Sequence, residues 1–202
     1  PTRMALSHLD NSLGRSEALR RMGPVLGTEE TTSLLNIIDD HEFSPLTSSC
    51  GRLFDAVSAI LGVRTDITYE GQAACELEAV CADEEPGHYE FRYENDQILV
   101  SPVVRAVCED LTAGVESPVI AARFHNTIAR IIVETCRRMR SETGISRVAL
   151  SGGVMQNRRL LQRAVPVLRA ENFDVLLHTR VPPNDGGLCL GQAAAALAKL
   201  NS

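Results

Sequence analysis

The tightest constraint on this chain lies in its last third. An apolar run at Arg147-Val148-Ala149-Leu150 meets the loop "SGGVMQN" (residues 151–157), a helical pattern "RRLLQRAVPVLRAEN", a second apolar run "FDVLLH" and a second glycine loop, "VPPNDGG". Strand, loop, helix and strand in that order predict a parallel βαβ crossover, because parallel neighbours need a long connection that packs back onto the sheet. Glycines at the carboxyl end of such a strand let backbone approach a ligand, and N–H groups opening the next helix favour an anion. A plain turn with positive φ at Gly152 or Gly153 accounts for one Gly-Gly pair equally well. The loop is neither G-x-x-x-x-G-K-[ST] nor G-x-G-x-x-G. Asp185, just before the second pair, reads either as a helix cap or as a metal ligand carrying phosphates. Two such loops on one crossover favour a ligand at the carboxyl edge of the sheet.

At 202 residues and 44% hydrophobic composition the chain has material for one sizeable core or two small ones. No apolar run approaches the roughly 18 residues that span a bilayer, and "PTRMALSHLD" lacks the pattern of a secretory leader, so a cytoplasmic protein with no membrane partner is expected. The first residue is Pro rather than Met, which suggests a segment of a longer polypeptide. A net charge of -6, three Tyr, five Phe and no Trp argue against a nucleic-acid platform. Arg137, Arg138, Arg140, Arg158, Arg159 and Arg163 read as solvated helix faces. The six cysteines include no C-x-x-C pair, so small buried thiols in a reducing compartment are expected.

Upstream the pattern is mostly helical. "RMALSHL" starts a short helix, and "GTEETTSLLNIIDD" has Thr28 as a cap candidate. "SSCGRLFDAVSAILG" puts Leu53, Phe54, Val57, Ile60 and Leu61 on one face and stops at Gly62. "YEGQAACELEAVCADEEPG" predicts a helix ending at Pro86-Gly87, and "HYEFRYENDQILV" a hairpin turning at Glu94 to Gln97. "SPVIAARFHNTIARIIVETCRRMRSETG" is the longest helical pattern, with Ile120, Phe124, Ile128, Ile131 and Thr135 on one stripe and Gly144 as its stop. A helical part with a hairpin over residues 1–114 and an α/β part over 115–202 follow. "LCLGQAAAALAKL" closes the chain as a helix. His125 beside Phe124 reads as packing ahead of catalysis, and His8, His41, His88 and His178 have no spacing that argues for a site.

Taken together, "SSCGRLFDAVSAILG", "YEGQAACELE", "AARFHNTIA", "VALSGGVMQN" and "VPPNDGGLCLGQAAAALA", in this order over most of residues 48–198, resemble the C-terminal part of the HypF family of hydrogenase-maturation carbamoyltransferases. The resemblance implies a helix-rich α/β fold of the actin-like ATPase (ASKHA) type, related to the threonylcarbamoyl-transferase proteins, with residues 115–202 as the second lobe. It implies an activity in which carbamoyl phosphate and ATP give carbamoyl-adenylate. The carbamoyl group then passes to the C-terminal cysteine of a HypE-type acceptor, where it becomes the cyanide ligand of [NiFe]-hydrogenase.

By the same resemblance, Ser151, Gly152, Gly153 and Asn157 match the loop facing phosphate and nucleotide, and Asp185 matches a metal-ligand aspartate for a divalent ion. Asp55 matches the acid on the ribose hydroxyls, and Glu70, Gly71 and Gln72 the loop beside ribose and base. Asp55 as an ordinary exposed helix residue, and Glu70 as a first-turn acid, stay open. The family's paired histidines, H-x-x-x-H, do not occur, nor do its acylphosphatase and zinc-finger segments. The chain is therefore expected to hold half of a cleft and to be inactive alone, and none of its own cysteines is expected to be the nucleophile. Two other readings are an O-carbamoyltransferase acting on a sugar or antibiotic hydroxyl and a non-catalytic ATP-binding interaction module.

Overall fold

The computed structural model describes residues 1–40 and 42–200. His41 therefore lies outside the described residues. The chain divides into two compact units, Pro1–Thr127 and Ile128–Ser202. The division falls within a long helix, downstream of the boundary expected near residue 115.

The first unit is helical. It holds α1 (Thr2–Leu13), α2 (Arg15–Leu26), α3 (Thr28–Ile38), α4 (Cys50–Ile60), α5 (Gln72–Ala79), β1 (Arg92–Glu94), β2 (Gln97–Leu99), α6 (Ser101–Thr112) and the first part of α7 (Ser117–Thr143). Its core follows the apolar stripes: Leu6 and Leu9 of α1, Leu35 of α3, Phe54 and Val57 of α4, Leu77 of α5 and Val103 and Val107 of α6 are buried. The α4 stripe forms as its spacing requires, opened by Ser49, whose hydroxyl accepts the Arg52 N–H, and closed before Gly62 at φ +69°. Thr28 is not a cap. It is the first residue of α3, and Gly27, at φ +88°, holds the cap position without a side chain to offer.

Two helices, α2 and α6, are ones the sequence pattern does not single out. Pro24 lies in the last turn of α2 and reads locally as a stop, yet α2 continues to Leu26. Conversely, α5 ends at Ala79, well before the Pro86-Gly87 stop. The segment after it is pinned to α7 instead: Ala82 N–H donates to the Pro118 carbonyl at 2.9 Å, and the Asn126 amide donates to the Glu85 and Gly87 carbonyls, each at 2.8 Å. The hairpin forms as expected, with Glu94 paired to Gln97 and its two turn residues, Asn95 and Asp96, at φ 47° and 61°. Left-handed conformation at both centres is the type I′ pattern that matches strand twist, and Asn and Asp tolerate it best among side-chain-bearing residues.

The second unit contains the rest of α7, β3 (Arg147–Leu150), α8 (Arg158–Ala170), β4 (Asp174–Leu177) and α9 (Leu188–Leu200). β3 and β4 pair in parallel, from Arg147 opposite Asp174 to Leu150 opposite Leu177. This is the crossover the sequence predicts, and with the helical first unit it makes a helix-rich α/β protein with a small parallel sheet. Leu150 is buried on one face of the sheet, and Leu160, Ala164, Val165 and Leu168 form the buried stripe of α8. Ala149 and Leu176 are exposed, so the opposite face is open. Every residue of α9 is exposed as well, including Leu188, Leu190, Leu197 and Leu200.

The arginines at the end of α7 are less solvated than their pattern suggests. Arg137 donates through Nε to Glu171 at 2.8 Å and through a second nitrogen to the other carboxylate oxygen. Arg140 donates to the Glu171 carbonyl at 2.7 Å, and its guanidinium lies 3.9 Å from the Phe173 ring centroid. The two side chains thus tie the end of α7 to the turn between α8 and β4, through a forked ion pair and a cation–π contact. The Arg137 guanidinium holds the Glu171 carboxyl below the usual carboxylate range.

Candidate functional site

The parallel register sets the site's edge. Because Leu150 and Leu177 are opposite, the next residue on each strand, Ser151 and His178, emerges at the same end of the sheet. Ser151 Oγ lies 2.8 Å from His178 Nε2. The two glycine loops are joined beside them: Gly152 N–H donates to the Pro183 carbonyl at 2.9 Å, and the Asn184 amide donates to Gln156 Oε1 at 3.2 Å. Loops separated by a whole helix in sequence therefore form one surface.

The glycines in the two loops have different reasons. Gly152 has φ +99°, and a Cβ there would meet nothing within 4 Å, so its backbone angle is what calls for glycine. At Gly187 a Cβ would lie 2.7 Å from the Pro182 carbonyl oxygen, so close backbone approach decides. Gly153 begins a short 3-10 turn, Gly153–Gln156, without a positive φ. Asn157 is buried and caps α8, its side-chain oxygen accepting the Leu160 N–H at 2.9 Å. That role fixes where α8 starts and hence where the loop must end. In the second loop the capping oxygen belongs to Asn184, which accepts the Gly186 N–H at 3.1 Å. Asp185 is not the side-chain cap. It sits in a 3-10 turn, Asp185–Gly187, and is exposed.

Among the described residues no group of three or more His, Cys, Asp or Glu side chains is placed to hold a metal ion. Asp185 fits the part of a single carboxylate ligand, a pattern suited to an ion of the magnesium type that keeps water and phosphate oxygens as its other ligands.

The remaining expected site residues lie in the first unit. Asp55 is half-buried on α4, and burial pushes its carboxyl above the usual range, helped by the nearby Glu70 charge and opposed by the chain's amino terminus and Arg52. It is therefore not an ordinary solvated helix residue. Glu70 is exposed. Gly71 takes φ 82° immediately before α5. The Gln72 side chain is buried and already committed locally, accepting from the Thr68 N–H at 2.8 Å and donating to Glu76 at 2.9 Å. It braces the loop that carries Glu70 and Gly71.

His125 is fully buried, its ring 5.1 Å from that of Phe54, with Nδ1 at 2.7 Å from the Ala121 carbonyl and 3.2 Å from Cys81 Sγ. Packing is its role. All six cysteines are free thiols, but Cys108 alone is buried as expected; Cys50, Cys81 and Cys136 are half-buried, and Cys75 and Cys189 are exposed. Burial pushes the Cys50 thiol up to about 11 and raises those of Cys108 and Cys136. Thiols shifted that way are poor nucleophiles at neutral pH.

Known proteins bear directly on this arrangement. Residues 1–192 match the family model for the second subdomain of a carbamoyltransferase, Kae1-like domain. The fold is thus that of a Kae1-like carbamoyltransferase subdomain. Carbamoyltransferase HypF of Rhodobacter capsulatus is 35% identical over an alignment covering 100% of this chain and 26% of that relative. HypF of Synechocystis is 33% identical over 76% of this chain and 20% of its own length. A crystal structure of full-length HypF in a phosphate- and nucleotide-bound form superposes with a TM-score of 0.89 at 37% identity, covering 100% of this chain and 27% of that one. The chain belongs to the HypF carbamoyltransferase family. It spans about a quarter of the length of these relatives.

Proposed function

We propose that this chain supplies one wall of a carbamoyl-adenylate site, in a carbamoyltransferase that uses carbamoyl phosphate and ATP. The observation that carries the reading is the joining of the two glycine loops, through Gly152 N–H and the Pro183 carbonyl, at the carboxyl edge of the parallel strands. Open-sheet proteins bind ligands at that edge, and glycine backbone there leaves room for phosphate. That a full-length HypF was crystallised in a phosphate- and nucleotide-bound form supports a nucleotide as the ligand class.

On this reading Ser151, Gly152 and Gly153 face the phosphate, and Asn157 keeps the loop seated on α8. Asp185 contributes one ligand to a divalent ion, which when bound would offset phosphate charge. In the first unit, taken by itself, Asp55, with Glu70 and Gly71 on the loop braced by Gln72, is proposed for ribose hydroxyls, two of which a single carboxylate can accept. In the transfer, the sulfur of an acceptor thiolate, the C-terminal cysteine of a HypE-type protein, bonds to the carbamoyl carbon. The bond from that carbon to the adenylate oxygen breaks, and AMP leaves with the electron pair. The thiol proton goes to solvent beforehand. The chain's contribution is to hold the mixed anhydride and exclude competing water. The opposite wall would come from upstream domains of the kind the longer relatives carry. The product S-carbamoyl group would then serve cyanide-ligand synthesis for [NiFe]-hydrogenase.

The test is an ATP titration with and without magnesium, repeated with Asp185→Ala. Metal-dependent affinity in the parent protein that disappears in the variant is expected. Metal dependence unchanged by the substitution removes Asp185 as a ligand.

A further inference from the structure

The pair at the strand ends is a contact between side chains of the two loop starts. Ser151 and His178 are 27 positions apart, both exposed, and held 2.8 Å from each other by the parallel register. Ser151 opens the first glycine loop, and His178 opens the connection that leads to Pro183, Asn184 and Asp185. The imidazole therefore sits where the two loops begin.

The chemistry of a serine hydroxyl beside an imidazole nitrogen has two forms. In one, the hydroxyl hydrogen points at a bare Nε2, and the serine oxygen offers only lone pairs to a ligand. In the other, Nε2 carries the hydrogen and donates to Oγ, leaving the serine hydrogen free to turn outward. A phosphate oxygen accepts and never donates when fully ionised, so only the second form lets Ser151 bind it.

We propose that His178 is a positioning residue for the phosphate site: its Nε2–H donates to Ser151 Oγ and aims the serine hydroxyl hydrogen at a nucleotide phosphate oxygen. The inference rests on the nucleotide reading above and adds a residue and a defined tautomer to it. His178 acts through Ser151 and touches no ligand itself.

The experiment uses the complete polypeptide that carries these residues, with ATP as the probe. Affinity is measured for the parent, Ser151→Ala, His178→Ala, the double variant and His178→Gln, and long-range proton–nitrogen NMR reports the His178 tautomer. The expected result is a loss of about tenfold in ATP affinity for each alanine variant, the size of one hydrogen bond to a charged acceptor. The double variant should be no weaker than either single one, since both remove the same contact. His178→Gln, whose amide N–H reaches a similar position, should restore most of the affinity, which a merely space-filling role for His178 would not predict. The NMR signal should show hydrogen on Nε2.

His178→Ala binding ATP like the parent, while Gly152→Val abolishes binding, overturns the proposal and leaves the nucleotide site standing. Hydrogen on Nδ1 alone in the ATP complex also overturns it. Absence of ATP binding by the parent, or unchanged binding by Gly152→Val, removes the site reading and this inference together. Both side chains are exposed, and the fold of each variant is checked from its amide spectrum.

Discussion

The two compact units use their apolar residues in opposite ways. The first encloses them: Leu6, Phe54, Val57, Leu77, Val103 and Phe124 have almost no exposed surface. The second encloses one layer, where α8 covers one face of β3 and β4, and leaves Leu176 and the whole of α9 open. The difference is between a closed core and a sheet covered on one face. A closed helical core holds itself together by burial, whereas the second unit spends few residues on burial and displays its polar loops at the strand ends.

That contrast can be broken by substitutions of graded size. The largest effect is expected from Leu77→Ala, which empties fully buried volume in the first unit; a loss of about 2–5 kcal/mol in urea unfolding is expected. A loss below about 1 kcal/mol would show that this core relaxes around the gap. Next comes Asn157→Ala, which removes the cap on α8 and leaves the Leu160 N–H unpaired, for about 1 kcal/mol. Faster amide exchange in the first turn of α8 checks it, and unchanged exchange there would mean that solvent replaces the cap.

A smaller effect, with a pH signature, is expected at Asp55. Its folded-state pKa is raised, chiefly by burial, so the ionised carboxylate disfavours folding. The penalty is complete above the raised folded value, and it fades as the pH falls through that value toward the unfolded one. Asp55→Asn should therefore raise the melting midpoint at pH 7 and lose that advantage in acid. An advantage that persists unchanged at low pH would trace to packing instead of charge. The smallest effect should be Leu197→Ala on α9, within about 0.5 kcal/mol, because the side chain is already in solvent. A loss as large as that of Leu77→Ala would erase the contrast between the units.

Much of this fold is legible in the sequence, because period and punctuation are local. The α4 and α8 stripes, the Gly62 and Gly144 stops and the hairpin turn at Asn95-Asp96 all announce themselves within a few residues. What local pattern hides has a nonlocal cause. α5 stops early because residues 80–88 find partners on α7, and α2 runs through Pro24 with Met22 buried against the rest of its unit. α6 carried a readable signal, Pro102 at its start and Val103, Val104 and Val107 behind it, but it lies between two stronger patterns.

The site divides in the same way. Glycine pairs and Asp185 stand out along the chain, and so does the family resemblance they carry. The contact of His178 with Ser151 does not, since it depends on which residue of β4 lies opposite Leu150. A histidine without useful spacing in the sequence gained a partner only once the strands were in register. Gln72 shows the converse. Its motif suggests a ligand contact, while its side chain is occupied in bracing a turn.

The hydrogen bond from Gly152 to Pro183 has one more consequence. That amide can trade its hydrogen for solvent deuterium only when the two loops part, so its exchange rate is a clock for the opening of the strand-end surface. Any molecule that bridges the loops will slow this clock without touching the hydrogen that keeps time.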